Sequence, residues 1–255
     1  MSEPLTLSID NRIATITYNR PEKLNAMTPE MAELMWQAVR SINASDEVRV
    51  VILTGTGKAF CAGSDIADLD RYATPWNFRN RPEYCDALRA LLKPSIAAIN
   101  GYAMGGGLEM ALSCDIRIAT RGAKLAAPEI KLGWIGGGGM TALLAHSIGP
   151  SNAALMVMTG DPVTAETALG WGLVSELTAP DTLLPRALEI ATAIANRAPV
   201  AAETARRNLQ AAYNMPLEQA VAYERDLQAI CFATEDAAEG RAAFAEKRAP
   251  LFNRR

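Results

Sequence analysis

Apolar positions in the first fifty residues keep a period of two and then lose it. Leu5-Thr6-Leu7-Ser8-Ile9 and Ile13-Ala14-Thr15-Ile16-Thr17-Tyr18 alternate as half-buried strands do, and Asp10-Asn11-Arg12 between them predicts a tight turn. Thr28-Pro29-Glu30 then opens a helix, with Thr28 as N-cap, Pro29 at the first helical position, and Met31, Leu34, Met35 and Val39 on one face. Val48 to Leu53 is apolar and β-branched with little alternation, the pattern of a strand covered on both faces, and Thr54-Gly55-Thr56-Gly57 ends it.

The strand-then-helix order recurs. Ser95-Ile96-Ala97-Ala98-Ile99 predicts a second buried strand, Gly105 to Ser113 a helix, and Ile116-Arg117-Ile118-Ala119 a further strand. That alternation places the first two-thirds in the α/β class. From about Gly138 the spacing is helical almost throughout, with one short strand expected near Leu173 to Leu177. Residues from Ala198 onward predict three amphipathic helices, broken at Met215-Pro216 and near Thr234.

Composition narrows what such a chain does. Its 255 residues are 49% hydrophobic and 21% charged, enough to bury a real core, and the net charge is −3. General affinity for nucleic acid needs a basic footprint, which this balance does not provide. Met1-Ser2-Glu3-Pro4 carries no basic, apolar leader, and the apolar runs stop well short of the ~18 residues of a membrane span. Cys61, Cys85, Cys114 and Cys231 form no CxxC pair; they are expected to be small buried residues in a reduced, cytoplasmic protein. No GxGxxG follows a strand, no phosphate loop surrounds Gly57-Lys58, and there is no GxSxG elbow. His146, the only histidine, sits in the apolar run Leu143-Leu144-Ala145-His146, so a multi-histidine metal site is excluded and no metal is expected.

Three segments carry candidate chemistry. In Asn100-Gly101-Tyr102-Ala103-Met104-Gly105-Gly106-Gly107-Leu108-Glu109, three glycines would each cost roughly 1 kcal/mol inside a helix. At a helix start they instead let a ligand reach free backbone N–H groups, which together with the helix dipole favour negative charge. Glu109 lies about one turn further on; the alternative is a close helix–strand contact with Glu109 merely favouring the dipole. Ala59-Phe60-Cys61-Ala62-Gly63-Ser64-Asp65-Ile66 is either a second set of donors or only a turn in which Asp65 caps a helix. In Ala127-Pro128-Glu129-Ile130-Lys131-Leu132-Gly133, Glu129 is either a surface loop residue or a placed acid.

Taken in order, these segments resemble the crotonase superfamily, and within it the enoyl-CoA hydratases. The likeness spans nearly the whole chain, including Arg20-Pro21-Glu22-Lys23-Leu24-Asn25-Ala26 and, near the end, Glu239-Gly240 and Phe244-Ala245-Glu246-Lys247-Arg248. The resemblance implies a spiral of ββα turns over residues 1–197, followed by a helical trimerisation region over residues 198–255. It implies hydration of the 2,3 double bond of a 2-enoyl-CoA, as in fatty acid metabolism, with no cofactor beyond the coenzyme A of the substrate. By the same resemblance, the backbone N–H groups of Ser64 and Gly106 form an oxyanion hole, and Glu109 and Glu129 match the two glutamates of hydratases. Lys23, Leu24, Ala26, Ala62, Asp65 and Ile66 fall at positions that meet the substrate. Phe244 and Lys247 fall where a neighbouring subunit of a homotrimer or homohexamer helps hold the nucleotide, and Lys58 is a further candidate cation.

The chain also departs from the hydratase pattern. Ala67 replaces a basic residue, Gly136-Gly137-Gly138-Gly139 lacks the usual proline, and Gly139-Met140-Thr141-Ala142-Leu143 replaces Gly-Gly-Thr-Gln-Arg. Tyr72 to Tyr84, with Trp76, Phe78, Arg79 and Arg81, occupies the variable substrate loop, so an aromatic or polar acyl group fits as well as a fatty one. The rival readings are a Δ3,Δ2-enoyl-CoA isomerase, which needs one carboxylate, and a hydratase for a carnitine-like or aromatic acyl-CoA. More distant are an RNA-binding relative, against which the helix Met31 to Ile42 offers only Arg40, and an inactive homologue.

Overall fold

The computed structural model describes residues 3–255; Met1 and Ser2, the start of the stretch searched for a leader, lie outside the described residues. Strands β1 (Leu5–Asp10) and β2 (Ile13–Tyr18) pair antiparallel, with Leu5 opposite Tyr18. Asn11 and Arg12 both take positive φ, 49° and 69°, as a two-residue connection matching the strand twist requires. Helix α1 (Pro29–Ala44) starts where its sequence predicts: Thr28 Oγ1 accepts a hydrogen bond from Met31 N at 3.2 Å, and Met31, Met35, Val39 and Ile42 are buried.

Three similar turns follow. Strand β3 (Val50–Gly55) leads into β4 (Ala59–Cys61), and the short helices α2 (Ile66–Leu69), α3 (Pro75–Arg79) and α4 (Tyr84–Arg89) return the chain. Strand β5 (Ser95–Ile99) leads into β6 (Tyr102–Met104) and helix α5 (Gly106–Leu112). Strand β7 (Ile116–Thr120) leads into β8 (Lys124–Ala126), a 3-10 turn over Pro128–Leu132 and helix α6 (Met140–Thr159). Then come β9 (Val163–Thr164), α7 (Ala165–Gly170), β10 (Glu176–Thr178) and α8 (Leu183–Ala195). The first strand of each turn joins a six-stranded sheet of order β1-β2-β3-β5-β7-β10, and the second joins a four-stranded sheet of order β4-β6-β8-β9. Such stepping between two sheets is the expected spiral of ββα turns.

The buried strand β3 shows why its sequence does not alternate. Val50 and Ile52 pack with Ile96, Ala98 and Ile118 against Leu183, Ala187 and Ala191 of α8. Val51 and Leu53 face the other way, into the main core with Ala97, Ile99, Met31, Met35 and Leu108. Apolar side chains are therefore needed on both faces.

Several sequence expectations are corrected. The strand expected over Val48 to Leu53 runs two residues later, and the one expected near Leu173 to Leu177 is β10; Leu173 and Val174 are buried in the turn before it. Strands β4, β6, β8 and β9 were not predicted, because two or three residues are too few to show a period. Gly105 is the N-cap of α5 rather than its first residue, since φ 54° and ψ −128° are not helical. Helix α6 is kinked at Gly149 (φ 76°, ψ 160°), before Pro150. Cys61, Cys85 and Cys114 are buried as expected, whereas Cys231 is only half-buried.

The last three helices are α9 (Pro199–Ala212), α10 (Leu217–Phe232) and α11 (Glu235–Glu246), broken where the sequence predicts. Ion pairs between a buried cation and a half-buried carboxylate dock α9 on the spiral: Arg206 Nε meets Asp115 Oδ2 at 2.9 Å, and Lys93 Nζ meets Glu203 Oε1 at 2.9 Å. No helix among the described residues is long and apolar enough to cross a membrane.

Candidate active site

The four-stranded sheet brings the three chemical segments together. Strands β4, β6 and β8 are neighbours and run parallel, with Cys61 opposite Ala103 and Met104 opposite Ala126. Whatever follows each strand therefore emerges at the same edge: Ala62-Gly63-Ser64 after β4, Gly105-Gly106 after β6, and Ala127-Pro128-Glu129 after β8. Residues far apart in sequence converge because parallel register leaves them no other place.

The first two turns touch. Gly63 takes φ 90° and Gly105 φ 54°, conformations that side chains disfavour, and a Cβ added to Gly63 would lie 3.1 Å from Gly106 N. Met27 N donates to Gly63 O and Asp65 N donates to Met27 O, both at 2.8 Å, so the chain either side of Ser64 is tied down. The amides of Ser64 and Gly106 themselves donate to no acceptor among the described residues. Two uncommitted main-chain donors thus sit on adjoining turns, one of them among the orphan N–H groups of a helix start.

Both glutamates lie against this arrangement. Glu109, on the first turn of α5, is 4% exposed, and its Oε1 accepts from Gly138 N at 2.7 Å and Met140 N at 3.0 Å. Burial raises its pKa to about 7; the two amide bonds work against that rise, and the nearby charge of Glu129 adds to it. Glu129 opens the 3-10 turn after β8. Its pKa is also raised by burial, and its buried Oε2 has no hydrogen-bond partner. A Cβ added to Gly105 would lie 3.0 Å from Glu129 Oε1, and one added to Gly136 would lie 2.8 Å from Glu109 Oε1. Glu109 is thus held on the segment from Gly136 to Met140, and Glu129, against Gly105, borders the same segment across a small void shared with Gly136 and Met140. The glycine run that departs from the hydratase pattern is what allows its backbone to approach Glu109 so closely.

The remaining sequence-predicted residues fall into three places. Leu24 (φ 50°) and Ala26 line the turn beside Ala62, whose N–H donates to Leu24 O at 3.0 Å, and Lys23 and Lys58 are exposed nearby in the chain. Asp65 caps α2 through Ala67 N at 3.3 Å and pairs with Arg20 at 3.2 Å, so its carboxylate is committed to holding the loop; Ile66 is exposed. Phe244, 87% exposed, and Lys247 lie on and just after α11 and are not brought to these turns within one chain. His146 is on α6 outside the site, its ring 5.1 Å from that of Tyr213.

Sequence reasoning missed two contributors. The amides of Gly138 and Met140 hold Glu109, which no side-chain pattern announces. The Tyr84 hydroxyl lies 2.9 Å from Ser64 Oγ, and a Cβ on Gly106 would come within 1.9 Å of it. Tyr84 also borders a cavity of about 350 Å³ that begins at Ser64 and runs between Met27, Ala32, Leu69, Tyr72 and Arg81. The glutamates are not in that cavity's wall; Glu129 lines a void of only about 10 Å³ with Gly136 and Met140.

Comparison with known proteins identifies the family and the fold. The family model for enoyl-CoA hydratase/isomerase matches residues 8–255. The (E)-benzylidenesuccinyl-CoA hydratase of Thauera aromatica is 37% identical over 98% of both chains. The 2,3-dehydroadipyl-CoA hydratase of Escherichia coli K12 is 37% identical over 100% of both. The crystal structure of an enoyl-CoA hydratase from Bacillus anthracis superposes with a TM-score of 0.95 at 32% identity, covering 99% of this chain and 100% of that one. With fold, motif order and full-length similarity in accord, the chain belongs to the enoyl-CoA hydratase/isomerase family of the crotonase superfamily.

Proposed function

We propose that the protein hydrates the 2,3 double bond of a 2-enoyl-CoA thioester. One observation carries the reading: two uncommitted amides, Ser64 N–H and Gly106 N–H, adjoin the buried carboxyl of Glu109 and the half-buried one of Glu129, both with raised pKa values. Addition of water at C3 drives electrons into the thioester carbonyl, and fixed N–H donors aimed at that oxygen stabilise the enolate-like state by ~3–4 kcal/mol each.

In this scheme Glu109 activates the water and Glu129 gives a proton to C2. Glu109 Oε1 is held by two N–H donors, which support the ionised form a base needs, and a pKa of about 7 matches work near neutrality. Glu129 Oε2 is buried without a partner, an environment that favours the protonated acid. An isomerase needs only one shuttling carboxylate; two bordering one segment favour hydration. Lys23 and Lys58 supply exposed positive charge for the coenzyme A phosphates. The names of the two curated relatives place aromatic and dicarboxylic acyl groups beside the fatty ones as substrates to try.

The test is to make Glu109→Gln and Glu129→Gln and follow loss of the conjugated thioester's ultraviolet absorbance with crotonyl-CoA, cinnamoyl-CoA and a 3-enoyl-CoA. Each variant is expected to lose roughly 10²–10⁴-fold in hydration rate. Near-normal hydration by either one discards the two-carboxylate scheme, and a preference for the 3-enoyl substrate favours isomerisation.

A homotrimer, or a dimer of trimers, belongs to the same proposal. Leu217, Phe232, Phe244 and Leu251 of the last sixty residues are 65–87% exposed, large apolar side chains that a neighbouring subunit would cover. Sedimentation at micromolar concentration should report three or six chains; a monomer would exclude it.

A further inference from the structure

Tyr84 is placed where no backbone requirement puts it. It starts α4 and is 6% exposed, and its hydroxyl lies 2.9 Å from Ser64 Oγ and directly over the Cα of Gly106. The two residues it touches are the ones whose amides are uncommitted. No main-chain group satisfies the phenol; its one polar partner among the described residues is the Ser64 hydroxyl. Tyr84 and Ser64 both line the 350 Å³ cavity. A buried hydroxyl with two functions, donor and acceptor, and one partner has a hydrogen-bonding position to spare.

From this geometry we infer that Tyr84 is a further catalytic residue, whose hydroxyl donates a third hydrogen bond to the thioester oxygen held by Ser64 N–H and Gly106 N–H. Ser64 Oγ–H donates to Tyr84 Oη and turns the phenolic proton toward the substrate. No proton changes hands in this arrangement: the phenol stays neutral and supplies a dipole while negative charge grows on the oxygen. Burial pushes the phenol well above its ordinary pKa, which keeps the donor protonated throughout the range in which the glutamates titrate. Ser64 acquires two roles, with its amide as a direct donor and its hydroxyl as the positioning group for Tyr84. Gly106 must be glycine because a methyl group would occupy the place of the Tyr84 oxygen.

The inference rests on the thioester reading, so its test must fail separately. Acetoacetyl-CoA serves as the probe, because its enolate places negative charge on the thioester oxygen and absorbs in the near ultraviolet. Wild-type protein, Tyr84→Phe and Ser64→Ala are titrated with it, and all three are assayed with crotonyl-CoA and cinnamoyl-CoA. Wild type is expected to raise the enolate absorbance on binding. Tyr84→Phe, which keeps the ring, should lose most of that absorbance and about 10²-fold in kcat with little change in KM. Ser64→Ala, which keeps the amide, should show the same pattern more weakly, and the double variant should be no worse than Tyr84→Phe. Tyr84→Phe with unchanged enolate signal and kcat overturns the inference and leaves the hydratase reading standing. A lower KM at unchanged kcat also overturns it, since the phenol would then only obstruct the site. No binding of the probe and no thioester turnover by wild type overturn the hydratase reading and this inference together. A circular dichroism melt of each variant identifies one that has failed to fold; for Tyr84 the shorter Tyr84→Leu change then repeats the kcat comparison.

Discussion

At the residue scale, Glu109 shows how one environment sets two opposed pH dependences. Burial raises its pKa from an ordinary 4.5 to about 7, so the folded protein binds a proton more tightly than the unfolded chain does. The stability this contributes is complete below pH 4.5 and is lost as pH rises through about 7. Activity runs the other way on this limb, because a base must be ionised: kcat/KM is expected to climb through about pH 7 as Glu109 ionises, within a bell whose falling limb is the loss of the proton that Glu129 must give. Glu109→Gln should remove both trends together. Its unfolding free energy relative to wild type should improve between pH 5 and pH 8, while the rising limb of its residual rate disappears. Urea unfolding and a pH–rate profile on the same preparations check this, and a limb that persists unchanged in the variant would assign the titration to another group. As sequence, Glu109 and Glu129 stand out as carboxylates in apolar runs, but each keeps a structural alternative until the family resemblance pairs them. The groups that tune them are not legible there: the amides of Gly138 and Met140 are featureless as letters, and Tyr84 is an ordinary apolar position on a short helix until its hydroxyl is placed against Ser64.

At the element scale, what positions the site is a set of three-residue strands, β4, β6 and β8, too short to announce themselves. The long strands β1, β2, β3 and β5 and the capped helix α1 were readable because each repeats its signal over five residues or more. The short sheet is instead held in place by polar contacts, and Asn25 is the clearest example. It is fully buried at φ 59°; its Oδ1 accepts from Arg20 N at 2.9 Å, and its Nδ2 donates to Thr56 O at 2.9 Å and Ala59 O at 2.8 Å. One amide side chain thereby ties the loop carrying Lys23 and Leu24 to the entrance of β4, whose exit carries Ser64. Asn25→Ala would leave a buried N–H and two carbonyls without these partners, at about 1–3 kcal/mol for each group left wholly unsatisfied. A loss of roughly 2–4 kcal/mol in denaturant unfolding is expected. Asn25→Asp, which keeps the acceptor but presents a carboxylate to two carbonyl oxygens, should be no better. A change under about 0.5 kcal/mol would mean that water replaces the side chain at no cost.

At the scale of the whole molecule, the question is how three exposed-looking helices stay attached to the spiral. Their apolar contribution to the core is small: Leu227 and Ala243 are the buried hydrophobic side chains of α10 and α11. Attachment runs instead through buried cations paired with half-buried carboxylates. Arg206 of α9 is 4% exposed, its Nε reaches Asp115 at 2.9 Å, and a second nitrogen reaches Leu91 O. Asp115 also accepts from Ser95 N at 2.8 Å and Ser95 Oγ at 2.7 Å, at the start of β5. Arg206 therefore grips the strand that leads into the glycine-rich turn of the site. Removing one partner of a buried pair leaves the other charge desolvated, which costs about 3–5 kcal/mol. Arg206→Met is expected to destabilise by about 2–3 kcal/mol, below that range because half-buried Asp115 loses its cation but keeps some solvent and its two Ser95 hydrogen bonds. The exposed pair of Lys131 and Asp161, at 2.5 Å with side chains 49% and 71% exposed, provides the internal comparison. Lys131→Met should cost under about 1 kcal/mol, since water screens both groups already. Chemical denaturation of the two variants side by side decides the matter. If they lose equal stability, the buried charges are not what docks the helices, and the apolar faces of α9 and α10 must hold them instead.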